Sequence, residues 1–317
     1  MEDSFGHIFK ITDWGDTHGP YMEGRVEGCP AGIYVDLSFV RSELARRASD
    51  GKGFATGRKE PDRVEFLTGL DEAGCTSGAP IVFRIANADV VVSSNRQVMR
   101  PSHASFTYFK KYGYKDQELC GRASARQTVC RVVAGAIAKL ALQPIGVEFS
   151  SEVVSMAAPR CEGDSVGAVV RGHIRNLPAG LGEPVYDKFS ARLAYAMLSI
   201  NAAKGFEIGL GYEAAKMCGS TYNDMQRSDY SFVTNHDGGV QGGITNGEEV
   251  FFTVAFKPIP SVRFPQQSIT FDGVPAVLEG SGRNDLCVAP RVLPVVEAMA
   301  AITTLDFILL ADSQKMC

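Results

Sequence analysis

A Pro-Ala-Gly turn that occurs twice, about half a chain apart, constrains this 317-residue sequence more than any other feature. GCPAGIYVD from Gly28 leads into one helical pattern, and NLPAGLGEPVYD from Asn176 leads into another. A similar strand phrase follows each helix, DRVEFLTGL from Asp62 and GFEIGLGYEA from Gly205. Pro178 follows Pro30 by 148 residues, so the spacing predicts two related β-α-β halves, about 1–150 and 151–317, packed as one α+β body. Chance recurrence of a common turn is the alternative.

Between these landmarks the chain reads as short strands broken by glycine turns, with few helices. FGHIFKITDWG and EGRVEGCPAGIYVD read as strands ending in turns. Asp36 to Ala48 reads as a helix capped by Asp36, with Phe39, Val40 and Leu44 on one face. Ser124 to Leu142 is the clearest helix, because Val129, Val132, Val133, Ala136, Ile137 and Leu140 form a wide apolar stripe. Ser190 to Ala203 and Val292 to Leu310 complete the expected set.

Composition narrows the function. With 45% hydrophobic residues the chain can bury a full core. No 18-residue apolar run is evident, which argues against a membrane span. The opening MEDSFGHIFK lacks the apolar stretch of a secretory signal, so a cytoplasmic protein is expected. The eight cysteines form no Cys-x-x-Cys pair, and the five histidines show no ligand spacing, so reduced thiols and no metal are expected. A net charge of −4 and a pI near 5.8 make nucleic acid an improbable partner.

Against that acidic background, eight basic residues lie between Arg96 and Arg131, opposed only by Asp116 and Glu118. The local excess surrounds His103 in Arg100-Pro101-Ser102-His103 and runs into the Ser- and Ala-rich helix start. It predicts a site for a small, multiply charged anion, with backbone N–H groups from Ser124 onward pointing at it.

RPSHASFTYFKKYG and GRASARQTVCRVVAGAIAK, from Arg100 and Gly121, resemble the corresponding block of chorismate synthases. FGHIFKITDWGDTHGP, LPAGLGEPVYDKFSARLAYAMLSINAAKGFEIG, NHDGGVQGGITNG, VAFKPIPS and GRNDLCVAPRVLPVVEAMA match in family order across nearly the whole chain. The resemblance implies a layered β-α-β sandwich and elimination of phosphate from 5-enolpyruvylshikimate 3-phosphate to give chorismate. It also implies reduced FMN (FMNH2), an external flavin reductant, and a homotetramer. No Gly-x-Gly-x-x-Gly after a strand suggests a nicotinamide site of its own.

Site residues transfer position by position. His18 and His103 match the two acid–base histidines, and Asp285 matches a proposed base. Arg122, Ala123, Ser124, Asn201, Ala202, Gly242, Lys257, Pro258, Ile259, Pro260, Ser261 and Arg283 match flavin contacts. Arg46, Arg47, Arg100, Arg126 and Arg131 are the substrate candidates, with Arg41, Arg58 and Lys59 behind them. The plain structural alternatives are a hydrogen-bonded loop histidine for His18, a salt-bridged carboxylate for Asp285, and a solvated helix face for the arginines.

The chain also departs from the family pattern. Asp16-Thr17 stands for Glu-Ser, Ala48 and Gly53 stand where arginines are usual, and Ser102 replaces glycine. Ala123 replaces serine, Gln127 glutamate, Asn284 histidine and Leu286 proline, and the stretch between Lys139 and Gly163 is short. These losses keep open a divergent paralogue that binds flavin or a phosphorylated anion with little turnover.

Overall fold

Alternating burial along the strands and one apolar face on each helix set the layers. A computed structural model of the chain describes residues 3–48, 61–88, 96–280 and 285–314. In chain order the first elements are β1 (Ser4–Phe5), β2 (Lys10–Gly15), β3 (Tyr21–Glu27), α1 (Leu37–Arg47), β4 (Val64–Thr68) and β5 (Ile81–Ala86). Then come α2 (Ser105–Tyr112), α3 (Thr128–Leu142), β6 (Glu148–Met156), β7 (Ala168–Arg175), α4 (Phe189–Leu198), β8 (Ala203–Ile208) and a short α5 (Gly219–Tyr222). The chain continues through β9 (Val240–Gln241), β10 (Ile244–Thr245), β11 (Val250–Phe256), β12 (Gln266–Ile269), β13 (Pro275–Leu278) and α6 (Ala289–Gln314).

Two antiparallel sheets share a strand order. The first runs β1-β2-β3-β5-β4 and the second β6-β7-β11-β8, so β2-β3-β5-β4 and β6-β7-β11-β8 correspond position by position. In each, every second residue of the central strands is buried: Met22, Gly24 and Val26 in β3, Val170, Gly172 and Ile174 in β7. The correspondence reaches single pairs. Gly24 faces Phe83, and Gly172, at the same 148-residue offset, faces Phe252. A Cβ on either glycine would lie under 2.5 Å from the facing ring, so only glycine admits these rings to the core.

Helices α1, α3, α4 and α6 pack on one another and on both sheets, and one continuous apolar core joins all of them. This is an α+β layered sandwich. Among the described residues, helices spanning 125–145 and 289–313 are long and apolar enough to cross a membrane, which the sequence reading did not anticipate. Most of both is buried, and they form the central helix pair, in contact with each other. Their crossing is close, since a Cβ on Gly135 would sit 2.3 Å from that of Ala298.

Helix boundaries differ from expectation for local reasons. Asp36 caps α1 as expected, accepting the N–H groups of Ser38 and Phe39. The helix expected from Ser124 begins only at Thr128. Ser124 is extended (φ −73°, ψ 142°), its hydroxyl accepts the Arg126 N–H, and tight 3₁₀ turns occupy 117–123 and 125–127. α4 stops at Leu198 rather than Ala203, because Ala202 takes a left-handed conformation (φ +69°) and Ala203 already pairs with Phe256. α2 was not foreseen.

Two polar features fasten the layers. Arg46 and Lys139 meet the buried carboxylates of Glu43 and Glu297 between α1, α3 and α6. Asp306, deep in α6, accepts the backbone N–H groups of His7, Ile8 and Phe9 at 2.7–3.0 Å. The seven described cysteines are unpaired, and no metal-ligating cluster occurs among the described residues.

Candidate active site

Glycine turns at strand ends deliver the first histidine. β2 closes at Gly15 (φ +97°), and the following turn is folded around Asp16, whose carboxylate accepts the His18 N–H at 2.8 Å and lies 3.3 Å from His18 Nδ1. Asn87 holds the turn from the other side, donating to the carbonyls of Asp16 and Gly19. Gly121 is required beneath it, because a Cβ there would collide with the Asp16 carboxylate at 2.1 Å. His18 is exposed at the rim, whereas the neighbouring Thr17 is buried with a hydroxyl that finds no partner.

The second histidine sits in a strained, strapped turn. Ser102, a non-glycine residue, holds φ +57°, a conformation that costs free energy and persists where surroundings enforce it. Lys257 Nζ donates to the Ser102 carbonyl at 2.6 Å, and Arg100 Nη1 to Ser261 Oγ at 3.2 Å, tying the turn to the 257–261 loop. Arg100 Nη2 contacts His103 Nε2, and Ser105 Oγ lies 3.5 Å from Nδ1. A guanidinium can only donate, so Nε2 accepts and the ring proton belongs on Nδ1. Burial, reinforced by Arg100 and Lys257, pushes the His103 pKa down to about 3. Burial likewise lowers Arg100 to about 10 and draws Lys257 below the usual lysine value.

A third wall comes from α1, α3 and α6. Arg47 is almost fully buried and donates to Asp62 (3.0 Å), Thr128 (3.0 Å) and the Ala125 carbonyl (3.1 Å). Burial, partly opposed by Asp62, brings its pKa to about 10. Arg126 grips the other oxygen of Asp62, with Asn87 and the Ala86 carbonyl as further partners. One buried carboxylate thus bridges two arginines. Asp285 is paired at 2.5 Å with Arg291, on the first turn of α6.

These three walls enclose one cleft of about 470 Å³, which includes His18, His103 and Asp285 together. Ala123, Ser124, Asn201, Ala202, Lys257, Ile259, Pro260 and Ser261 line it, as do Arg47, Arg100 and Arg126. Among the described residues five cationic side chains face it and one carboxylate. Among the described residues, three of the six buried side-chain polar atoms without a partner belong to it: Thr17 Oγ1, Arg100 Nε and Asn201 Oδ1. Buried polar atoms are rarely left unpaired, so their concentration here marks a surface shaped for a ligand.

Other expected residues lie elsewhere. Arg46 turns to Glu297 (2.6 Å) and Glu43 (2.8 Å) and does not line the cleft. Arg122 points back at Asp13 and Gln127, and Arg131 is spent on Ser199. Gly242 (φ +61°) serves the β9–β10 hairpin, Pro258 stays outside the lining, and Arg41 is exposed. Arg283, Arg58, Lys59, Asn284 and residues 49–57 with Gly53 lie outside the described residues.

The dense basic run between Arg96 and Arg131 disperses on folding. Arg96 pairs with Asp116 and Lys115 with Asp272, while Lys110 lies over the Phe106 and Phe109 rings. Only Arg100 and Arg126 of the eight reach the cleft. Sequence reasoning missed Arg291, Asp62 and Thr17. Arg291 stands six residues after Asp285 in a matched motif, a signal that was present and not used.

Comparison with known proteins agrees with this geometry. The chorismate synthase family model matches residues 9–161 and 155–309. A chorismate synthase of Christiangramia forsetii is 43% identical, with 99% of each chain covered, and one of Bacteroides fragilis is 42% identical with 98% of each covered. The first alignment runs over 352 positions against 317 residues here, so that relative carries segments this chain lacks. A crystal structure of chorismate synthase superposes with a TM-score of 0.76 at 27% identity, covering 97% of this chain and 93% of that one. The chain belongs to the chorismate synthase family of carbon–oxygen lyases.

Proposed function

We propose that the cleft performs the family reaction on 5-enolpyruvylshikimate 3-phosphate beside reduced FMN, with His103 as the proton donor to the departing phosphate. One observation carries this reading: a neutral imidazole held between Arg100 and Lys257, two cations with no carboxylate partner among the described residues. A phosphate dianion drawn in by those cations reverses the field at the ring, so His103 takes up a proton as substrate binds. It then returns that proton as the carbon–oxygen bond breaks, which is general-acid catalysis.

The residues present fit two polyanions. Arg47, Arg126 and Arg100 are assigned to the substrate, since unpaired phosphate and carboxylates would be costly to desolvate. Ala123, Ser124, Asn201, Ala202, Lys257, Ile259, Pro260 and Ser261 are assigned to the flavin, and the unpartnered Asn201 Oδ1 offers it an acceptor. Reduced FMN, when bound, supplies a transient electron to the substrate. His18 is assigned to proton exchange at the rim, and Asp285 presents a carboxylate held by Arg291 on the cleft wall. Family resemblance further supports a cytoplasmic homotetramer supplied with reduced flavin by a separate protein. The shared strand order of the two sheets supports a single domain of two related halves.

The test is substrate binding by calorimetry in buffers of different ionisation enthalpy near pH 7.5, alongside anaerobic chorismate formation with chemically reduced FMN. Binding should take up about one proton in the natural protein and less in His103→Gln. Equal uptake in both, with turnover intact in the variant, rules this role out.

A further inference from the structure

We propose that Arg291 is a positioning residue for Asp285, fixing that carboxylate on the cleft wall and tying it to the end of α1. The proposal rests on the reading of Asp285 as part of the reaction machinery.

Arg291 lies two residues into α6, and its side chain lines the cleft. Its Nη1 donates to Asp285 Oδ2 at 2.5 Å, while its Nε donates to the main-chain carbonyl of Arg47 at 2.9 Å. That carbonyl belongs to the last residue of α1, where helix geometry leaves backbone acceptors without an internal partner. One guanidinium therefore joins segments 244 residues apart in sequence. Because the guanidinium is planar and its donors diverge at fixed angles, holding the Arg47 carbonyl also fixes the direction from which Asp285 is held.

The link extends further round the cleft. The same Arg47 sends its side chain to Asp62, and Asp62 is shared with Arg126. Asp285 is thus registered, through Arg291 and the end of α1, against the wall assigned to the substrate. A lysine here keeps the charge but, as a point donor on a flexible stem, does not set the same two directions. A reacting carboxylate displaced by about 1 Å can lose about 10²-fold in rate.

A double-mutant cycle tests this, with Arg291→Gln, Asp285→Asn and the double variant assayed anaerobically with saturating reduced FMN. Arg291→Gln should lower kcat by about 10- to 100-fold with KM changed less than about threefold. In the Asp285→Asn background the same substitution should add less than about twofold, because its effect passes through the carboxylate. Arg291→Lys should fall between, and it carries the same cycle if the glutamine variant does not fold. Equal losses in both backgrounds, or a raised KM at unchanged kcat, overturn the proposal, since Arg291 would then act on substrate independently. A full-rate Asp285→Asn enzyme overturns the underlying reading of Asp285 and the proposal with it, and is distinguishable because that variant alone reports it.

Discussion

Two regions of the cleft treat positive charge in opposite ways. On the α1–α3–α6 side, Arg47 and Arg126 share the buried carboxylate of Asp62, and just behind, Arg46 and Lys139 are matched by Glu43 and Glu297. At the 100–104 turn, Arg100 and Lys257 meet only hydroxyl, carbonyl and imidazole groups among the described residues. The first region is partly neutralised by the chain itself, and its cations are fixed in place. The second stays cationic until something anionic arrives. Capacity to bind an anion therefore follows from the charge left over after built-in pairing, partial at Arg47 and Arg126 and full at Arg100 and Lys257, and the number of nearby basic residues is a poor guide to it.

The largest effect that would sharpen this contrast is expected from Asp62→Asn. Removing the one acid between two buried arginines leaves uncompensated charge and should cost about 3–5 kcal/mol of stability, read from a denaturant midpoint. A midpoint within error of the natural protein would show that the first region is not neutralised by Asp62. Next is His103→Gln, which should lower kcat by about 10²-fold or more while leaving the fold intact, measured by anaerobic product formation.

Charge at the two regions can then be compared directly. Arg100→Gln removes an open cation, and at about 1.5–3 kcal/mol per charge-assisted bond should raise KM by about 10- to 100-fold. Arg46→Gln, which leaves Glu297 with only Lys139 as a cationic partner, should lower thermal stability with KM changed less than about threefold. Equal KM effects would break the distinction. The smallest effect concerns pH. Unfolded, His103 takes its proton near 6.5, and folded only near 3, so between those values the unfolded chain binds the extra proton. Stability from this residue is thus present above about 6.5 and falls as pH drops towards 3. His103→Gln should flatten the acid slope of the unfolding midpoint, and an unchanged slope would refute the burial of a neutral ring.

Much of the fold was legible because it is written in local patterns. The paired Pro-Ala-Gly turns, the Asp36 cap and the apolar stripe of α3 each depend on residues close in sequence. Boundaries failed where a single side chain overruled the pattern, as Ser124 does by bonding to the Arg126 N–H. In the site, His18, His103 and Asp285 do fall in one cleft, as do Arg47, Arg100 and Arg126, whereas Arg46 and Arg131 turn elsewhere. Arg46 and Arg47 are adjacent and chemically identical, yet about 100° apart round the helix, so one reaches Glu297 and the other the cleft. Which of two neighbours faces which environment is decided by partners distant in sequence, 251 residues away for Arg46 and up to 81 for Arg47. Asp62 and Arg291 escaped notice for the same reason.

The bonds from Asp306 to residues 7–9 carry a consequence for biosynthesis. Every element that α6 packs against is made before it, yet α6 fills the space between them. Until α6 is made, the face of β6 and β7 that it covers and the sides of α1, α3 and α4 that meet it stay exposed on the nascent chain. In that interval the protein depends on whatever keeps sticky nascent surfaces apart.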